Sequence, residues 1–266
     1  MLTATMWGTI AASSLIIGAV LGLITPWPPR LIGAILAFGA GAIFSTIAFE
    51  LAEESITSGG PLATAIGVAL GALTYFIADR LIEGRETPSG AVSGASAAGT
   101  ASGASEASTA QHSSRTKRRT RRNNAGMVLV MGAILDGIPE QTVLGVGMGA
   151  GNDVSIALLI AICLANIPES VGSASDMKSA GVPTRRILGI WLLVPALCAL
   201  ATVIGYGLSH TLSAEAQAGI NGFAGGALLV MLVDSMIPEA RAKTGRTAGL
   251  LTVLGFALGA GLSLLT

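Results

Sequence analysis

The sequence predicts an all-α, polytopic membrane protein with eight transmembrane helices. Of its 266 residues, 52% are hydrophobic and only 11% are charged, and the mean hydropathy is +0.72. A soluble domain carries about 25% charged residues. A helix needs about 20 apolar residues to cross the hydrocarbon core. Segments of this kind lie at residues 7–25, 31–52, 61–82, 126–148, 153–175, 187–208, 218–238 and 247–265.

The basic residues predict how these helices are oriented. All 15 Lys and Arg residues lie in the connections after spans 1, 3, 5 and 7 or at their edges, and basic loops face the cytoplasm. The connections at 53–60, 149–153 and 209–217 and both termini contain none. We therefore expect a protein of the cell membrane, plasma or inner, with both termini outside and residues 83–125 in the cytoplasm. The first apolar run lacks the basic start of a signal peptide, so it is expected to remain as helix 1.

One long loop interrupts what is otherwise a single membrane domain. Residues 1–85 hold spans 1–3 and residues 125–266 hold spans 4–8. Residues 86–124 are rich in Ser, Gly, Ala and Thr, which bury too little apolar surface to fold, so a flexible linker is predicted. Its basic run, Arg115–Arg122, is interpreted as an anchor on anionic lipid headgroups rather than as a nucleic-acid site. A homodimer is among the assemblies that the sequence allows.

Two internal similarities suggest repeated structure. Phe38–Glu54 aligns without gaps with Phe223–Glu239, and these segments fall in spans 2 and 7, which cross in opposite directions. Inverted repeats are common in secondary transporters, whose sites lie near the midplane. Separately, Ile-Pro-Glu occurs at 138–140 in span 4 and at 167–169 in span 5. The sequence thus predicts inverted-repeat character around a central pair of helices.

The two Ile-Pro-Glu runs place polar groups in spans that are otherwise apolar. Asp136 and Glu140 are one turn apart on a face of span 4, and Asn166 and Glu169 share a face of span 5. A charged group at the membrane centre costs roughly 2.5–3.5 kcal/mol. Neither span contains a Lys or Arg to pair with it. The acids are therefore either protonated or surround a metal ion or water; kinked helices with acids bound to Ser or Thr are the structural alternative.

The prolines of both runs add further oxygen atoms. Pro139 and Pro168 each remove one helical hydrogen bond, which frees a carbonyl near Leu135 and Leu164. Carboxylate, amide and carbonyl oxygens suit Mg, Mn, Fe or Zn. The residues predict a cation site at Asp136, Glu140, Asn166 and Glu169.

Other acidic residues lie nearer the ends of the spans. Glu50 and Glu54 are one turn apart at the outer end of span 2 and are candidates for lining an entrance, although Glu54 also suits a solvated helix end. Asp234, one turn before a proline in span 7, is a candidate for the cytoplasmic exit. Cys163 and Cys198 lie within spans and are expected to be small apolar fillers.

These residues resemble the ZIP family of cation transporters, the ZRT/IRT-like permeases. The likeness covers nearly the whole chain in its layout of eight spans, outer termini and a variable loop after span 3. It is most specific at 136–141, 165–170 and Met236–Glu239. The family site contains His-Asn-x-Pro-Glu-Gly. Asp136 stands in place of its histidine, and Gly137 in place of its asparagine.

The resemblance implies what the central runs do. Glu140 and Glu169 match the bridging carboxylates of the family site, and Asn166 falls where the family has Asn or Asp. The implied function is transport of a divalent cation, zinc or a metal such as manganese or iron, toward the cytoplasm by alternating access. The metal is then a substrate, and no cofactor is expected.

Two rival functions stay open. The absence of histidine from every span leaves the identity of the metal open and allows a non-transporting metal sensor or degenerate relative. A proton-coupled transporter of another solute is the second rival. An enzyme is not expected, because the sequence shows no nucleophile and base pair, phosphate loop or cofactor fingerprint.

Overall fold

The structure, a computed structural model, describes residues 1–83, 131–135, 137–150 and 155–263. Every regular element in these stretches is helical. This confirms the predicted all-α class. The predicted linker at 86–124, with its basic run, and Asp136 lie outside the described residues, so the division of the chain at that linker stays a prediction.

The helices follow the predicted spans closely. Six stretches of the described chain are long and apolar enough to cross a membrane, and a shorter apolar helix closes the chain. With the helix of span 4 they occupy the eight predicted positions. The α-helices are α1 (Leu2–Ile24), α2 (Pro29–Thr46), α3 (Ala52–Gly59), α4 (Pro61–Glu83), α5 (residues 131–149, with 136 outside the description), α6 (Ile156–Ser179), α7 (Thr184–Ser209), α8 (Ala214–Met231), α9 (Ile237–Thr244) and α10 (Thr247–Ser263).

The ends of the helices gather at two opposite faces, as an even number of crossings requires. At one face Met1 lies against Gly207, and the Glu50 carboxylate accepts hydrogen bonds from Ser155 and Ser263. Both described ends of the chain lie at this face, which we call the outer face after the orientation predicted from the sequence. At the other, Lys178 Nζ donates to the Leu23 carbonyl at 2.6 Å. The distribution of basic residues makes this the cytoplasmic face in our prediction.

The inverted repeat is confirmed in detail. Span 2 consists of α2, a π-helical turn at Ile47–Leu51 and α3, with 18, 5 and 8 residues. Span 7 consists of α8, a π-helical turn at Leu232–Met236 and α9, again with 18, 5 and 8 residues. A glycine with positive φ follows each span, Gly60 at 91° and Gly245 at 72°. The gapless sequence similarity of spans 2 and 7 thus extends to the lengths of the three helical pieces that form each of them.

The two repeats exchange packing partners through glycine. We count the helix that follows each matched span, α4 or α10, as part of its repeat. α4 then packs along α8 of the other repeat, and α10 packs along α2. A side chain at Gly226 would collide with the Val68 backbone, and one at Gly41 would collide with that of Thr252. Helices in lipid associate by close packing, because apolar surface gains nothing by leaving apolar lipid. The glycines therefore allow the helices of the two repeats to pack in direct backbone contact.

α6 lies at the centre of this arrangement, between α1 and α2. Gly18 and Gly22 of α1 meet the backbone of Ile167 and Val171, so α1 follows α6 past its proline. The span that carries Asn166 and Glu169 is thereby enclosed by protein over much of its length.

The glycine contacts lead to a stability prediction. Gly226→Ala puts a Cβ into the Val68 backbone, and such overpacking should destabilise the protein by about 1–3 kcal/mol. Gly249→Ala is the matched control, because a Cβ there meets nothing within 4 Å. The purified protein is heated in steps, and the fraction that still elutes as folded protein in size-exclusion chromatography gives a thermal midpoint. We expect this midpoint to fall for Gly226→Ala and to stay unchanged for Gly249→Ala. Equal midpoints would contradict the packing.

Candidate functional site

The Pro-Glu runs of α5 and α6 lie inside helices and inside the protein. Pro168 falls within α6, and residues 137–149 of α5 are helical through Pro139. Glu140 is 2% exposed, Asn166 is 4% exposed, and Glu169 is half-buried. The structure thus buries two of the predicted site residues and half-buries the third, while Asp136 lies outside the described residues.

Asn166 is oriented by a partner on α1. Its Nδ2 donates to Ser14 Oγ at 3.1 Å, and Ser14 in turn donates to the Ala11 carbonyl at 2.5 Å. With the amide nitrogen held by Ser14, the amide oxygen is the atom left to act as a ligand. Ser14 was not foreseen from the sequence, because nothing there signals that α1 lies beside α6.

Pro168 leaves one carbonyl of α6 without its helical donor. Proline has no N–H to bond the Leu164 carbonyl, and this oxygen faces α2 at Gly39, where a Cβ would lie 3.1 Å from it. Glycine at this position lets α2 approach the carbonyl closely. The following carbonyl groups are satisfied, since Ser170 Oγ donates to Asn166 and Ile167 at 2.6 and 3.1 Å.

Both cysteines border the Pro-Glu runs. Cys198 of α7 is fully buried against Gly137, where a Cβ would lie 2.6 Å from its sulfur. Its thiol is within electrostatic reach of both Glu140 and Glu169. Cys163 lies near Ser14 and within electrostatic reach of Glu140. The two glutamates of separate spans therefore share a neighbour, which sequence spacing could not show.

A second buried contact fixes α5 to α7. Thr202 Oγ1 donates to Gln141 Oε1 at 2.6 Å, and both residues are buried. Gln141 Nε2 has no hydrogen-bond partner among the described residues. Close approach makes the contact possible, because Gly145 meets the Thr202 backbone directly.

The described residues alone do not make a metal cluster of acids, cysteines or histidines. No group of three or more such side chains within them could hold a metal ion. The predicted ligand set depends in addition on the Asn166 amide and on Asp136. The site at Asp136, Glu140, Asn166 and Glu169 therefore stays a prediction, with Glu140 and Asn166 buried and Glu169 half-buried.

The predicted entrance residues line a cavity at the outer face. It has a volume of about 550 Å³, and Glu50, Glu53 and Glu54 contribute its carboxylates. We call it the vestibule. Its other lining residues include Thr57, Val143, Leu144, Gly147, Met148, Ser155, Leu158, Asn221 and Ser263.

Asp234 lies elsewhere. It is exposed and borders an apolar groove between α4 and α8, beside Phe76 and Val233. Near the cytoplasmic face, Lys243 forms a salt bridge of 2.5 Å with Glu239, and both are within electrostatic reach of Asp176. The exit role of Asp234 stays a prediction.

Comparison with known protein families places the chain in one of them over its whole length. The model of a protein family described as ZIP zinc transporter matches residues 1–266, the whole chain. No curated protein matches the chain.

The Ser14 contact yields a prediction about the site. Ser14→Ala removes the partner that holds the Asn166 amide, and loss of such a supporting contact typically costs 10–100-fold in metal affinity. Zn²⁺ titration of the purified protein by calorimetry should show a loss of about tenfold. Ser13→Ala is the control, because Ser13 bonds only the Ile10 carbonyl of its own helix. If Ser14→Ala binds Zn²⁺ as tightly as the unchanged protein, Asn166 is not a ligand of the metal.

Proposed function

We propose that this chain, which belongs to the ZIP zinc transporter family, carries a divalent transition metal into the cytoplasm through a site between α5 and α6. Transport of divalent metal ions across membranes is the function of the family. The proposal adds the residues, the direction and the mechanism. The observation that carries it is the burial of Glu140 and Asn166 in spans that hold no Lys or Arg.

Oxygen atoms dominate the proposed site. Glu140, Glu169 and Asp136 supply carboxylates, Asn166 supplies an amide oxygen, and the Leu164 carbonyl is freed by Pro168. A metal ion removes the cost of burying the carboxylates, because it supplies the positive charge that the two spans lack. The metal is the substrate, and zinc, manganese and iron all accept such ligands.

The surroundings of the site support alternating access. Val143 and Leu144 are buried one turn above Glu140 and form the floor of the vestibule. An ion in the vestibule is therefore separated from the site by apolar side chains. Gly18 and Gly22 of α1 and Gly39 of α2 meet the α6 backbone, and contacts without bulky side chains suit small sliding movements of packed helices. We infer that the floor opens when the α5 and α6 pair moves against the repeats.

Flux measurement tests the proposal. Purified protein in liposomes should take up Zn²⁺ or Mn²⁺ down a gradient, with a fluorescent chelator inside as reporter. Glu140→Gln and Glu169→Gln keep the shape but remove the charge, so each should lower uptake at least about tenfold. Glu215→Gln, an exposed acid of α8, is the control. Full uptake in both site variants would refute the site. Metal binding without uptake would favour a sensor, and movement driven by a pH gradient alone would favour another solute.

A second prediction concerns the choice of metal. Asp136→His restores the residue type that the family has at this place, and imidazole suits zinc better than manganese. The ratio of Zn²⁺ to Mn²⁺ uptake in the same liposomes should rise. Asp153→His, in the outer connection, is the control. An unchanged ratio would place Asp136 outside the coordination sphere.

A further inference from the structure

We propose that the ammonium group of Lys243 is a tethered cation that closes the cytoplasmic exit of the metal path, and that a metal ion leaving Glu169 must displace it. This inference rests on the proposed function for the course of the path. Its test measures access to the exit rather than transport, so the two proposals can fail separately.

One side of α6 leads from the proposed site toward the cytoplasmic end of the helix. Glu169, Gly172 and Asp176 are spaced by three and four residues within α6, so they lie on the same side of it. Gly172 is about 4.5 Å farther along the helix axis than Glu169. Because Gly172 has no side chain, a space remains beside it between the two carboxylates. We call this space the exit gap.

Lys243 of α9 occupies the exit gap. A Cβ at Gly172 would lie 3.5 Å from Lys243 Nζ, which is the only described atom of another helix within 4 Å of it. The Lys243 ammonium is also within electrostatic reach of Asp176. The exit gap, one turn from Glu169, therefore already contains a positive charge that belongs to the protein.

The packing of α9 directs Lys243 toward α6. Its Nζ donates to Glu239, one turn earlier on α9, at 2.5 Å. Its stem lies against α2, where a Cβ at Gly33 would come within 2.6 Å of Lys243 Cβ. The next residue, Thr244, donates to the Arg30 carbonyl at 3.2 Å. The Lys243 side chain is only 24% exposed, so it differs from the freely moving lysine of an ordinary surface ion pair.

Charge makes this closure sensitive to the metal ion. A divalent ion at Glu169 lies about one turn from the ammonium, and like charges at such a distance repel each other. The ion therefore favours the state in which Lys243 has left the exit gap, and a ligand shifts an equilibrium through such a difference between states. Asp176 and Glu239 then become available to the departing ion. Once the ion has left, the ammonium returns to them and closes the exit.

Labelling of a cysteine in the exit gap tests the closure. Gly172→Cys is introduced into full-length protein in lipid nanodiscs, and Cys163→Ala and Cys198→Ala remove the two native thiols. A membrane-impermeant maleimide should react slowly, because the ammonium covers the new thiol. Lys243→Ala should accelerate labelling at least about tenfold, since the open state of such an equilibrium is typically populated at about 10% or less. A nearby ammonium by itself favours the reactive thiolate, so acceleration on its removal reports access.

Added Mn²⁺ tests the response to the ion. Mn²⁺ should accelerate labelling in the protein that retains Lys243, and Glu169→Gln should abolish this response. In Lys243→Ala, where the exit gap is already open, Mn²⁺ should cause no further acceleration. These two results distinguish a cation-operated closure from a merely structural contact.

Two control variants separate the closure from general effects. Arg241→Ala removes an exposed basic residue from the same helix, and it should leave labelling at Gly172→Cys unchanged. Ala240→Cys replaces a residue that is 1% exposed beneath α9. Used as the reporter in place of Gly172→Cys, it should stay unlabelled in Lys243→Ala, because α9 itself is expected to remain packed.

Several outcomes would overturn the proposal. These are equal labelling with and without Lys243, equal acceleration by Arg241→Ala, and labelling of Ala240→Cys in Lys243→Ala. Ser173→Cys, the next residue of α6, serves as the reporter if Gly172→Cys does not fold. Zn²⁺ uptake into liposomes separates this inference from the proposed function. Normal uptake with labelling that ignores Lys243→Ala refutes the closure alone, whereas labelling that responds to Lys243→Ala and Mn²⁺ in a protein without uptake supports the closure and refutes transport.

Discussion

The cost of burying carboxylates in lipid-spanning helices is the constraint on which the rest of this structure depends. Glu140 has an exposed fraction of only 2%, and neither its span nor the next contains a basic residue. Polar groups must therefore be supplied by other helices or by an ion. Ser14 of α1 holds the Asn166 amide, and Thr202 of α7 holds Gln141. These contacts bring four helices together around the two prolines.

Close helix contact is what makes this polar interior possible. Glycines of α1, α5 and α7 let backbones touch, so that short side chains such as Ser14 and Thr202 can reach across. The two repeats are joined in the same way, with α4 on α8 and α10 on α2. The two repeats are thus stabilised by glycine contacts with each other. α6 lies between α1 and α2.

The sequence predicted the framework better than the surroundings of the site. Eight apolar runs and the match of Phe38–Glu54 with Phe223–Glu239 were sufficient for the spans and the repeat, because both depend on local composition. The π-helical turns were not foreseen, since a turn wider by one residue leaves no period in an apolar sequence. Ser14, Cys198 and Asn221 were missed for another reason. Each belongs to a helix distant in sequence, and only its packing brings it to the site or the vestibule.

The matching π-helical turns have a consequence for the two mouths of the protein. The two turns have the same length and the same place in the inverted repeat, so the side chains they carry distinguish the two sides. The turn in span 2 carries Glu50 beside the vestibule, while the equivalent place in span 7 is Ser235, followed by a Glu239 that Lys243 already neutralises. Under the proposed function, the carboxylates of the first mouth retain cations and the neutralised second mouth releases them. The gradient would still set the direction of net flow, and this asymmetry would set how dilute an external supply can be used.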